Sequence, residues 1–82
     1  MSIDINKLQM PPSEDYSELT FGDRLRAVRK ARGLTQIQLA EKAGIGQCMV
    51  SFYERDEVLP GLAILEWMCK ALKVSATDLL GF

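Results

Sequence analysis

From Phe21 onward, apolar residues recur at helical spacing, and each run is bracketed by residues that start and stop helices. Phe21, Leu25 and Val28 fall on one face, behind a capping box at Thr20-Phe21-Gly22-Asp23 and ahead of Gly33 as a stop. A second box, Thr35 with Gln38, opens a helix whose inner face is Leu39, Ala40 and Ala43 and which Gly44 ends. Ile45 and Gly46 then lead into a third stretch, Gln47 to Arg55, with Val50 and Tyr53 pointing inward. Pro60 is expected to open a fourth helix, in which Leu65, Met68, Cys69 and Leu72 share a face. Ser75 with Asp78 makes a last box before Leu79 and Leu80. The pattern predicts five short helices, with no convincing strand after residue 10 and no internal repeat.

Residues 1–20 differ in character. Pro11-Pro12 stops any helix there, while Ile3, Ile5, Leu8 and Met10 remain apolar. The segment reads as an extended or disordered arm, either a leader without structure or a strip that packs on a partner subunit. The domain expectation is therefore an arm at 1–20 and a helical domain at 21–82.

Composition bounds the chemistry. Eighty-two residues make one domain, 48% hydrophobic and 26% charged, with a net charge of −1. Taken whole, that balance argues against a nucleic-acid partner, but its distribution reverses the argument. The arm sets Asp4, Glu14, Asp15 and Glu18 against Lys7, a net of −3. Residues 21–55 set Arg24, Arg26, Arg29, Lys30, Arg32, Lys42 and Arg55 against Asp23, Glu41 and Glu54, a net of +4. Residues 56–82 return to −2, with Asp56, Glu57, Glu66 and Asp78 against Lys70 and Lys73.

With no histidine in the chain, triad catalysis and His-ligated metals are ruled out. Cys48 and Cys69 stand far apart with no other soft ligand, so neither a zinc site nor a disulfide framework is expected. There is no phosphate-cradling loop. A non-enzymatic protein follows, with no metal, no cofactor and no small-molecule ligand. The longest apolar stretch, Leu62 to Leu65, cannot span a bilayer, and Met1 to Met10 lacks the features of a signal peptide. The expected setting is cytoplasmic, without a membrane partner.

Two helices joined by a tight turn containing glycine form the helix-turn-helix pattern, whose second helix lies in the DNA major groove. Generic helical hairpins share that spacing, and the residues are more specific. Gly22-Asp23-Arg24-Leu25-Arg26, Arg29, Gly33-Leu34-Thr35-Gln36 and Leu39-Ala40-Glu41 are followed in register by Ala43-Gly44-Ile45, Gln47 and Val50-Ser51. Tyr53-Glu54-Arg55, Pro60, Leu65, Met68, Ala71-Leu72, Val74-Ser75 and Leu79-Leu80 continue the run. Over residues 22–80 the chain closely resembles the lambda-repressor-like (XRE-type) helix-turn-helix family. The resemblance implies an all-α, compact five-helix bundle of lambda-repressor-like fold.

The family pattern implies a role for each matching residue. Gln47, Cys48, Ser51 and Phe52 match base-reading positions. Chemically, Gln suits adenine and Phe a thymine methyl. Gln36, Arg55 and Gly46 match positions at the DNA phosphates, and Arg29 with Glu54 matches a partly buried ion pair joining the first helix to the recognition helix. Three departures stand out. Gly46 occupies a position where Ser or Thr usually caps, and Asp56 replaces a helix-ending Gly. Asp56 and Glu57 also bring negative charge beside the expected phosphate track. One unit reads few base pairs, so two copies are expected on double-stranded DNA, with Trp67, Leu80 and Phe82 as dimer-interface candidates. The implied function is a prokaryotic or phage transcriptional regulator, a repressor binding a promoter operator through recognition helix 47–55. The alternative is a protein–protein adaptor or antitoxin-like module with weak or no DNA binding.

Overall fold

The computed structural model describes residues 19–81. Within them the fold is all helical, in the order α1 (Phe21–Ala31), α2 (Gln36–Ala43), α3 (Gln47–Glu54), α4 (Leu62–Leu72) and α5 (Ala76–Leu80). Most of the arm expected at 1–20, and Phe82, lie outside the described residues.

The helices begin where side chains can satisfy the free N–H groups of a first turn. Thr20, Thr35 and Ser75 each accept from the backbone N–H three residues on. In each case the residue at that position (Asp23, Gln38 or Asp78) reaches back to the cap's own N–H. All three expected boxes are present. α4 differs from expectation. It starts at Leu62 with Gly61 as an N-cap that offers no side chain, and Pro60 stands before the helix rather than inside it. The reason is local backbone: Pro60 biases Leu59 to extended geometry, and Gly61 is itself extended at φ −71°, ψ 174°, so helical geometry begins only at Leu62.

One core serves all five helices: Leu25 from α1, Leu39, Ala40 and Ala43 from α2, Val50 and Tyr53 from α3, Leu65, Met68, Cys69 and Leu72 from α4, and Leu79 from α5. Leu25, Leu39, Val50, Met68, Leu72 and Leu79 are fully enclosed. α2 packs against α3 and α4, α1 packs against α3 and α5, and α4 meets α5. Just past the C-terminus of α1, the Arg32 guanidinium donates to the Leu72 and Lys73 carbonyls at 2.7 and 3.1 Å, closing the C-terminus of α4.

Candidate nucleic-acid interface

The turn between α2 and α3 is built by Gly44. It adopts φ +75°, and the following Ile45 N–H returns to the Ala40 carbonyl at 3.0 Å. Ile45 folds toward the core and Gly46 caps α3 with backbone only. The geometry aims α3 outward. Its Val50, Tyr53 and Glu54 are buried, so the opposite stripe is left to solvent.

On that stripe Gln47 and Cys48 are exposed, as is the Gly46 backbone before them, while Ser51 and Phe52 one turn later are half-buried. Arg55, the C-cap, folds back along the stripe. It donates to the Ser51 hydroxyl oxygen, its guanidinium lies 5.3 Å from the Phe52 ring centre, and it grips both Glu57 carboxylate oxygens at 3.1 and 3.2 Å.

Behind the stripe lies a polar network. Glu54 is only 2% exposed and Arg29 only 8%, and their side chains meet twice: Nε to Oε2 at 2.5 Å and Nη2 to Oε1 at 3.1 Å. Arg29 also donates to the Leu34 carbonyl at 2.9 Å. Gln36, in the first turn of α2, donates from Nε2 to Glu54 Oε1 at 3.0 Å, and Arg26 stands 3.6 Å from the same oxygen. Burial alone would push the Glu54 carboxyl up. The hydrogen bonds from Arg29 and Gln36 and the charges of Arg29 and Arg26 outweigh it, so Glu54 titrates below the ordinary glutamate value. Three helices are thus joined through one carboxylate.

The contact that Asp56 makes with α1 was not visible in the sequence. Asp56 takes the left-handed conformation at φ 60°, letting the Glu57 N–H return to the Phe52 carbonyl at 3.0 Å and end α3. Its carboxylate is turned onto the start of α1, where Oδ1 accepts from the Gly22 N–H at 2.9 Å and Oδ2 from the Thr20 hydroxyl at 2.5 Å. A negative group at that helix N-terminus is favourable. The only hint in the sequence was Asp where glycine commonly ends the helix. Gly22 itself admits the approach, since a Cβ there would overlap the Glu54 carbonyl oxygen.

The basic run of residues 21–55 is also less free than its charge suggests. Arg29 is buried, Arg26 serves Glu54, Arg32 closes α4 and Arg24 donates to the Leu19 carbonyl at 2.8 Å. Of the dimer-interface candidates, Trp67 is 46% exposed on α4 and Leu80 is half-buried against the core. No helix of the described residues is long and apolar enough to cross a membrane.

Comparison with known proteins places this geometry. A helix-turn-helix family profile matches residues 25–79. The chain is 41% identical over 63 residues to the immunity repressor protein of Bacillus phage phi105, a match covering 77% of this chain and 44% of that one. It therefore spans less than half the length of that relative. Among solved structures, the restriction-modification controller protein of Aeromonas hydrophila superposes with a TM-score of 0.72 at 33% identity, covering 79% of this chain and all of the other. The P22 c2 repressor, solved with a synthetic operator, superposes with a TM-score of 0.71 at 34% identity, covering 74% and 92%. With its capped α2, its glycine turn and its outward-facing α3, the chain belongs to the XRE-type, lambda-repressor-like helix-turn-helix family.

Proposed function

We propose that this chain is a sequence-specific DNA-binding transcriptional regulator that represses by occupying a promoter operator as a homodimer. The observation that carries the reading is the outward-facing stripe of α3, with Gln47 and Cys48 exposed and Ser51 and Phe52 half-buried, on the second helix of the unit and backed by a filled core. A helix so presented fits the major groove, where Gln47 pairs with an adenine edge and Phe52 packs on a thymine methyl. Gln36 and Gly46 stand at the N-termini of α2 and α3, where backbone N–H groups suit phosphate oxygens. The operator-bound P22 c2 repressor supports the assignment.

Residues 21–82 form the DNA-binding domain in this reading, with 1–20 as its arm. Trp67, Leu80 and Phe82 supply the contact between two copies, which would hold half-sites about 34 Å apart. Selection of bound duplexes from a randomised pool tests the reading. It should return a two-fold-related site, and Gln47→Ala should lose about 1–3 kcal/mol on it. Parent protein with no salt-dependent DNA binding would sink the regulator reading in favour of an adaptor. Sedimentation as a monomer at micromolar concentration, both free and on DNA, would sink the homodimer.

A further inference from the structure

We propose that Arg55 is a positioning residue for base reading: through Ser51 and Phe52 it sets which hydrogen-bonding group and which ring orientation α3 offers the groove. The inference rests on the DNA-binding reading above and assigns Arg55 a role different from that of a phosphate contact.

Three contacts converge on one guanidinium. It donates to the Ser51 hydroxyl oxygen, covers the Phe52 ring at 5.3 Å, and is held from behind by both oxygens of Glu57 at 3.1 and 3.2 Å. An exposed ion pair by itself contributes little. Here the pair is two-pronged, and the planar guanidinium fits the carboxylate fork while its face remains free to stack. Glu57 is therefore not a stray negative charge beside the phosphate track. It neutralises Arg55 and keeps it on the stripe.

The consequence for Ser51 is chemical. A serine hydroxyl has one proton and two lone pairs. Arg55 fills one of the two acceptor sites, and no acceptor among the described residues takes the Ser51 hydroxyl proton. With its proton free and one acceptor site taken, Ser51 is biased toward donating to the groove, which suits purine N7, guanine O6 or thymine O4 better than the cytosine amino group. Phe52, with its ring held under the guanidinium, keeps one orientation rather than several. The i, i+3 and i, i+4 spacing of Phe52 and Ser51 to Arg55 places all three on one helix face.

The test compares the parent with Arg55→Lys, Arg55→Gln and Glu57→Gln on duplexes recovered from a randomised pool and on their single-base substitutions, across a range of salt. Arg55→Lys keeps the charge but loses the fork and the stacked plane. We expect it to lose about tenfold in discrimination at one base step, with non-specific affinity and salt slope unchanged. Glu57→Gln should relax discrimination at the same step, and adding Ser51→Ala to Arg55→Lys should cost little more at that base.

The opposite pattern overturns the proposal. In it, Arg55→Lys discriminates like the parent, Arg55→Gln lowers the salt slope by about 0.9, and Glu57→Gln raises affinity on all duplexes alike. Arg55 would then be a phosphate contact that Glu57 restrains. A parent without any base preference overturns the DNA-reading assignment itself. The two failures are thus told apart by the parent alone.

Discussion

Arg29 and Glu54, 25 positions apart, meet through two hydrogen bonds of 2.5 and 3.1 Å in a site where neither is more than 8% exposed. The pair fixes the slope of α3 against α1, and Gln36 extends the tie to α2. Removing one partner leaves the other buried and uncompensated. Glu54→Ala should therefore cost about 3–5 kcal/mol, read from urea unfolding. Replacing both as Arg29→Met with Glu54→Leu should cost less than Glu54→Ala alone. A Glu54→Ala variant within 1 kcal/mol of the parent (about one-third of the smallest expected loss) would contradict this.

Acid should attack the same joint. Glu54 titrates below the ordinary glutamate value in the folded chain, so the unfolded state takes up its proton first as pH falls. Its stabilisation is complete above the unfolded value and is lost as pH drops through the lowered folded value. Urea midpoints measured against pH should fall on the acid side for the parent and more shallowly for Glu54→Gln. Equal slopes would mean that another carboxylate carries the acid sensitivity.

Gly22 should reverse the usual behaviour of glycine in a helix. An alanine in a helix interior ordinarily gains about 0.5–1 kcal/mol over glycine. At Gly22 the new Cβ would meet the Glu54 carbonyl oxygen, and backbone cannot step aside as a flexible side chain can. Gly22→Ala should lose about 1–3 kcal/mol, seen as a lower thermal midpoint. A stabilised variant would show that α1 and α3 can separate at no cost.

The two thiols should report separately. Cys48 is exposed at the head of α3, whereas Cys69 is buried, and burial together with the charges of Asp78 and Glu66 pushes its thiol up. A maleimide should label Cys48 first. Saturating duplex from the selected pool should then slow that labelling while leaving Cys69 unaffected. Unchanged labelling of Cys48 on cognate DNA would place α3 away from the groove.

The helix starts were legible because capping is local: Thr20 with Asp23, Thr35 with Gln38 and Ser75 with Asp78 each span only three positions. The inner faces followed from periodicity alone, from Leu25 through Leu79. Pro60 does not start α4 because proline suits both a first turn and the extended segment before one, and the extended Gly61 that follows puts the start at Leu62. Interactions closing over long stretches left no local trace. Asp56 reaches back 34 positions to Gly22, and Arg32 reaches 40 positions ahead to Leu72. The stripe of α3 was placed by pattern. The folding back of Arg55 along it depends on rotamers that spacing does not specify.

The Asp56 carboxylate has a consequence for how the domain breathes. Helix ends ordinarily fray independently, each opening at small cost. Here the first turn of α1 and the residue just past α3 share one side chain, so neither can loosen without releasing the other. Amide hydrogens of Gly22 and Glu57 should exchange with solvent at matched rates, as members of one cooperative unit. The end of α3 is then as slow to open as the start of α1, and the two helices hold their mutual angle as one stiff piece.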